Sequence, residues 1–155
     1  MSGEVHGHLV KVLFDTGSTH NVINSSLVKK LKLKTTPSAY TYRVELADGK
    51  GSEIWDRRVV GLPVQIQTYK DELDFEIVRL ARFDLVLSKQ WHASKKPTID
   101  FQTHIYQFNH NGHRIIIRGD PDVKVYRRAS TSTMVKSECK YLYFLYLEHK
   151  ELLNL

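Results

Sequence analysis

The chain has 155 residues, enough for one domain with a substantial core and too few for two of ordinary size. Apolar residues make up 41% and charged residues 26%, which excludes disorder or a collagen-like chain as a description of the whole. Twenty-three Lys and Arg against seventeen Asp and Glu give +6, a mild excess that permits contact with nucleic acid without arguing for it.

In chain order, Leu9-Val10-Lys11-Val12-Leu13-Phe14 predicts a strand that stops at the polar turn Asp15-Thr16-Gly17. A short helix follows, capped by Asn24, Ser25 or Ser26, with Leu27, Val28 and Leu31 on one side and Lys29 and Lys30 on the other. Thr35-Thr36-Pro37 ends that segment. Tyr42 to Leu46 reads as a strand leading into Ala47-Asp48-Gly49-Lys50-Gly51, where Asp-Gly is a strong hairpin signal. Ile54 to Val60, Leu62 to Thr68 and Leu73 to Leu80 read as further strands. Phe83 to Leu87 is a brief apolar run, and Lys89 to Ser94 has room for one or two helical turns before Pro97. Thr98 to Phe101, Ile105 to Phe108 and Arg114 to Arg118 read as closing strands. Many short strands against one convincing helix make the class mostly β.

Residues 5–118 form the expected domain. Residues 119–155 differ from it: Gly119-Asp120-Pro121-Asp122 opens a turn, and Ala129-Ser130-Thr131-Ser132-Thr133 is polar. Tyr141 to Leu155 is aromatic and leucine-rich without a clear period, so the stretch reads as a C-terminal linker or extension. The single cysteine, Cys139, forbids an intrachain disulfide and a cysteine-rich zinc site, and it fits an intracellular, cytoplasmic setting. Met1-Ser2-Gly3-Glu4-Val5-His6 shows no signal peptide, and the longest apolar run, Tyr141 to Leu147, is too short to cross a bilayer. No membrane partner is expected.

The stretch that carries chemistry is Val12-Leu13-Phe14-Asp15-Thr16-Gly17-Ser18-Thr19-His20-Asn21-Val22-Ile23. It sets a carboxyl at the end of an apolar strand, partly shielded from water, a setting that favours acid/base work. Gly17 lets main-chain N–H groups come close to the carboxylate, while Thr16 and Ser18 add hydroxyls that hold the loop. Three letters alone are weak, because strand-end turns favour Asp, Thr and Gly anyway. The same letters suit the first phosphate loop of actin-like and sugar-kinase proteins, but those close two large lobes around a nucleotide and need far more chain.

The full block Phe14-Asp15-Thr16-Gly17-Ser18-Thr19-His20-Asn21-Val22-Ile23 resembles the active-site motif of retropepsin-like aspartic proteases of Ty3/Gypsy retrotransposon polyproteins. Val44-Glu45-Leu46-Ala47-Asp48-Gly49 is similar to their flap. Asp84-Leu85-Val86-Leu87-Ser88-Lys89-Gln90-Trp91 resembles their second signature, in which an apolar strand leads through glycine to a helix with tryptophan. Ile99-Asp100-Phe101 resembles the strand after it. The order and spacing of all four blocks agree over residues 8–118.

The resemblance implies a retropepsin-like acid protease fold: a closed β-barrel-like subunit with one or two short helices, acting as a homodimer. It implies that Asp15 is catalytic and that Thr16, Gly17 and Ser18 support its loop. Ala47, Asp48, Gly49, Lys50 and Gly51 would form a flap over the substrate, and Leu87, Ser88 and Trp91 would pack the second motif beneath the loop. The family's mechanism needs two facing aspartates that share a proton and activate a water between them. The chain holds no second Asp-Thr-Gly or Asp-Ser-Gly, so two copies must each supply one Asp15. The implied function is an aspartic endopeptidase that cuts its own polyprotein, with no metal or organic cofactor.

Two departures motivate an alternative, a catalytically inactive retropepsin-fold dimerisation or binding module. Ser88 stands where the family has glycine, and His92 where it has an apolar residue. Serine adds a side chain and gives up the positive φ that glycine reaches freely. Of the eight histidines, His6 and His8, and His104 with His110 and His113, have no acid or cysteine at ligand spacing, so no metal site is expected. His20 reads as a supporting residue of the motif. Lys29, Lys30, Lys32 and Lys34, with Arg57-Arg58, Lys95-Lys96 and Arg127-Arg128, read as solvated surface, since no aromatic rings interleave them. Direct nucleic-acid binding is therefore not expected. The run Tyr141 to Leu147 reads either as a strand of this domain or as the join toward a reverse transcriptase.

Overall fold

A computed structural model describes residues 1–45 and 52–119. Along these residues run β1 (Ser2–Val5), β2 (His8–Phe14), β3 (Val22–Asn24), α1 (Ser25–Lys30), β4 (Thr36–Glu45) and β5 (Ser52–Ile66). They continue with β6 (Tyr69–Val78), β7 (Leu85–Leu87), α2 (Lys89–Lys95), β8 (Thr98–Asp100), β9 (Ile105–His110) and β10 (His113–Arg118). The flap residues Ala47, Asp48, Gly49, Lys50 and Gly51, and the extension from Asp120 onward, lie outside the described residues.

The main sheet runs β1-β2-β7-β3-β6-β5-β4, and β1 also pairs with β5 through Glu4 and Gln65. That extra pairing closes six strands into a barrel and leaves β4 outside it, held by the first half of β5. Closure abolishes most of the exposed sheet edge. β10-β9-β8 form a separate antiparallel sheet, so the strands expected to close the structure instead pack against it through Phe108, Ile115 and Ile117. The closing strand is β1, which lies ahead of residue 5 for most of its length.

Local chemistry explains each boundary. The Asn24 carboxamide accepts from the Ser26 N–H at 3.1 Å to cap α1, and its NH₂ donates to the Leu80 and Phe83 carbonyls. Lys29 and Lys30 are exposed in the last turn of α1, where positive charge suits the helix dipole. Gly61, at φ 61, lets β5 bulge between Val59 and Leu62 rather than stop, and its N–H donates to Asp74 Oδ1 at 2.8 Å. The two strands expected over 54–68 are therefore one bent strand. Asn111 and Gly112, both at positive φ, turn β9 into β10.

Along β2, Val10 and Val12 point into the barrel with Val5, Ile23, Ile66, Tyr69, Leu85 and Leu87. Leu13 points the other way. It joins a smaller cluster of Val22, Trp55, Val78 and Val86, with Leu80 at its edge, on the barrel's outer face.

Barrel closure depends on how near β1 comes to β5. A Cβ on Gly3 would sit 3.0 Å from the Gln65 carbonyl oxygen, 3.0 Å from Val12 Cγ2 and 3.2 Å from Ile66 Cγ1. Gly3→Ala is expected to destabilise the fold by about 1–3 kcal/mol through overpacking, read as a lower urea midpoint with an unchanged slope.

Candidate active site

The acid loop grows from the end of β2. β2 pairs in parallel with β7, Phe14 opposite Leu87, and the Asp15 N–H extends that ladder to the Leu87 carbonyl at 2.9 Å. The Gly17 N–H then turns back on Asp15 Oδ1 at 2.8 Å, and the Ser18 N–H donates to the Asp15 carbonyl at 3.2 Å. A Cβ on Gly17 would stand 3.1 Å from that same Oδ1, which is why a side chain here would crowd the carboxylate. Ser18 is fully buried: its hydroxyl donates to the His20 carbonyl, and its own carbonyl accepts from the Lys89 N–H. Thr19 Oγ1 meets His20 Nδ1 at 2.9 Å, so His20 supports the loop from the side.

Asp15 is half-buried, and Thr16 and Gly17 are exposed. Asp15 Oδ2 has no hydrogen-bond or ion-pair partner among the described residues. The carboxylate is thus held through one oxygen and open through the other.

The second signature lies directly behind this loop. Ser88 is fully buried at φ −85, a backbone conformation open to any residue, so glycine's freedom is not needed here. Its hydroxyl donates to Asn21 Oδ1 at 3.0 Å and accepts from the Gln90 N–H at 3.2 Å, capping α2. Its N–H donates to the same Asn21 oxygen at 2.9 Å. The serine that departs from the family pattern therefore joins the two signature segments. His92, the other departure, donates from Nδ1 to the Ser88 carbonyl at 2.7 Å and packs edge-on against Phe14 and Trp91.

An aromatic wall backs the acid. Phe14 meets Trp91 edge to face at 5.0 Å, and Trp91 packs in turn on Tyr69 and Phe108. The Trp91 indole donates to the Tyr69 hydroxyl at 3.0 Å, which donates to Asp71 Oδ2 at 2.7 Å. Lys95 Nζ, from the end of α2, reaches that same oxygen at 2.6 Å. Burial pushes the Tyr69 hydroxyl far above its ordinary range, which keeps it a donor. Burial alone would raise the Asp71 carboxyl as well, but hydrogen bonds from Lys95 and Tyr69 outweigh it and hold that carboxyl below its usual range.

Asp15, Thr16, Gly17, Ser18, Leu87, Ser88 and Trp91 are thus brought together; the five flap residues lie outside the described ones. Sequence reasoning gave no role to Asn21 or to Trp55. Asn21 sits inside the quoted motif, yet only the structure shows its carboxamide reaching Ser88, 67 residues away. Trp55 is a large indole in a strand otherwise rich in exposed residues, and that mismatch was the available signal.

A model of the PEG10/RTL1 protease domain matches residues 11–114. Among solved structures, the retroviral protease-like domain of Ddi1 from Leishmania major superposes with a TM-score of 0.58. The match covers 80% of this chain and 94% of that one at 15% identity, a likeness of fold.

Two outcomes are expected. Asn21→Ala strands the buried Ser88 N–H and costs about 1–3 kcal/mol, and Ser88→Ala removes a helix cap worth about 0.5–2 kcal/mol. Because both changes break one cluster, the double variant falls short of their sum by about 0.5 kcal/mol or more in denaturant unfolding. The Asp71 carboxyl, held low in the fold, contributes stability above the unfolded carboxylate range of about 3.9 that is lost as pH falls through its folded value. Wild type should exceed Asp71→Asn in stability from pH 7 to 5, and the gap should shrink toward pH 3 and below.

Proposed function

This chain belongs to the PEG10/RTL1 protease domain family, and on that premise we propose that it is an aspartic endopeptidase working as a homodimer. The observation that carries the reading is Asp15 itself: one oxygen fixed by the Gly17 N–H, the other without a partner, on a loop whose Thr16 and Gly17 are exposed. One carboxylate is half of the required machinery. With no second Asp-Thr-Gly or Asp-Ser-Gly in the sequence, a two-fold axis through the exposed loop supplies the other half.

In that dimer the two Asp15 carboxyls face each other and share one proton, since two like charges at contact distance cannot both stay ionised. The ionised partner takes a proton from the water between them as that water attacks the peptide carbonyl. The protonated partner donates to the carbonyl oxygen, and the tetrahedral intermediate then collapses with proton delivery to the leaving amine. Thr16 from each copy ties the loops across the axis. Extended substrate pairs its main chain with strand edges, with Ala47, Asp48, Gly49, Lys50 and Gly51 as the flap that the family resemblance implies. No metal or organic cofactor takes part. The substrate is its own polyprotein.

Ser88 gives the non-cutting alternative no support, because its backbone is unstrained and its hydroxyl is used as both donor and acceptor. The test incubates wild type and Asp15→Asn with an unfolded protein from pH 4 to 8. Cleavage by wild type, blocked by pepstatin and lowered about 1,000-fold or more in the variant, is the expected result. A folded dimer that cuts nothing at any pH would sink the peptidase reading and leave the binding module.

A further inference from the structure

A notch opens at the C-terminal end of α2, away from Ser88 and the acid loop. Lys95 and Lys96, read from the sequence as solvated surface, line a cavity of about 490 Å³ there with Thr98, Gln107, Asn109 and Arg114. β8 starts at Thr98, opposite Gln107, while β9 runs on to His110, so no β8 residue stands opposite Phe108 or Asn109. Phe108 turns into the barrel core, which leaves Gln107 and Asn109 on the other face. Arg114 pairs with Asn109, and Thr98 with Gln107, so four polar side chains share that face across three strands.

The charge around the cavity is one-sided: three cations line it and no carboxylate does. Lys95 is already matched, with Nζ 2.6 Å from Asp71 Oδ2 and 3.3 Å from His110 Nδ1. His110 Nε2 donates to the Lys70 carbonyl at 3.0 Å, which leaves Nδ1 to accept from Lys95. Lys96 and Arg114 have no carboxylate partner among the described residues. The Arg114 guanidinium donates one N–H to Gln107 Oε1 at 2.5 Å, which orients the fork and leaves its other donors over.

Two unmatched cations beside the Thr98 hydroxyl and the Asn109 carboxamide suit one ligand group. A phosphate monoester carries about −1.5 to −2 charge and three strong acceptor oxygens, whereas a carboxylate brings a single charge. Cavities of about 300–1,000 Å³ hold a drug-sized ligand, so this one has room for more than a bare anion. The edge of β9 past the start of β8 is where an extended peptide can lay its main chain.

We propose that this notch docks a phosphoserine or phosphothreonine segment of a partner protein. The phosphate lies between Lys96 and Arg114, with Thr98 and Asn109 donating to its oxygens, and the flanking chain runs beside Phe108 and Asn109. Gln107 is a positioning residue that aims the guanidinium. The site uses nothing from Asp15, so it stands or falls apart from the peptidase reading.

The test uses the whole chain with Asp15→Asn, so that no peptide is cut. Fluorescein-labelled peptides of alanine and glycine around a central phosphoserine, glutamate or serine are titrated, and binding is read by anisotropy. At about 0.1 M salt, the phosphoserine peptide is expected to bind about 10-fold or more tightly than either of the others. Lys96→Ala and Arg114→Ala should each weaken it about 5-fold or more, and the double variant should bind it no better than the serine peptide. Both side chains are exposed, so the unfolding temperature should hold. Gln107→Ala keeps every charge and should weaken binding several-fold, but not when Arg114 is already alanine. Lys29→Ala with Lys30→Ala removes as much charge from α1 and should leave binding unchanged. Equal affinity for the phosphoserine and serine peptides, or equal weakening by the α1 pair, would overturn the inference. So would displacement of the peptide by an equal concentration of inorganic phosphate, or equally tight binding of an RNA oligonucleotide without a terminal phosphate.

Discussion

The acid loop depends on one side chain's reach. Asn21 Oδ1 accepts both the N–H and the hydroxyl of Ser88, tying the loop after β2 to the start of α2 across 67 residues of sequence. β2 and β7 run parallel, so no tight turn sets their register. A slip by one residue would turn Asp15 into the barrel and Phe14 out of it. The Asn21 contacts, with Lys89 N–H on the Ser18 carbonyl and Asp15 N–H on the Leu87 carbonyl, make any other register leave buried polar groups unpaired. The position of the carboxylate is thus decided by hydrogen bonding and packing together, since the same slip would turn Lys11 into the barrel and take Phe14 off Trp91.

The two sides of the loop are built differently. Behind it stand Phe14, Trp91, Tyr69 and Phe108 in edge-to-face contact, closed at the far end by Asp71 and Lys95. That wall joins β2, α2, β6 and β9, so disturbing any of these elements strains the others. In front, Thr16 and Gly17 are exposed and Asp15 Oδ2 is unpartnered among the described residues. A carboxylate braced on one side and open on the other is suited to meet a second group without first reorganising.

Much of this was legible in the sequence, and the exceptions have identifiable causes. β2, α1 and the second half of β6 announce themselves by apolar runs and a cap, and the acid loop by its motif. β7 shows only as a brief apolar run, α2 only as room for a helical turn or two, and β6 starts at Tyr69, ahead of the expected Leu73. β1 gives no such sign: Ser2-Gly3-Glu4-Val5 carries one large apolar residue, and its strand conformation is imposed by partners on both sides, with Gly3 chosen for the close approach. Gly61 looked like a break and is a bulge, because Asp74 across the ladder accepts its N–H. The strands of residues 98–118 were legible as strands, but which sheet they join is a matter of distant pairing that local pattern does not encode. Asn21 and Trp55 escaped for the same reason. Each acts on residues brought near only by the barrel.

The two departures from the family pattern are physically one. The Ser88 carbonyl accepts from the His92 main-chain N–H at 3.1 Å and from its imidazole Nδ1 at 2.7 Å, while the Ser88 hydroxyl serves Asn21 and Gln90. An apolar side chain at 92 would leave that carbonyl with its helical bond alone, and glycine at 88 would leave Asn21 with one bond instead of two. His92 meanwhile fills the apolar role expected there through its ring faces against Phe14, Trp91 and Tyr106. Either change alone thins this network without stranding a group, because the Ser88 carbonyl keeps its helical bond and Asn21 Oδ1 keeps the Ser88 N–H. Among the described residues the buried side-chain atoms without a partner are Trp55 Nε1, Arg58 Nε and His92 Nε2, and of these His92 Nε2 belongs to a ring packed in the aromatic wall. The pair therefore holds Asp15 in place by a hydrogen-bonded route where a glycine and an apolar residue would hold it by close packing.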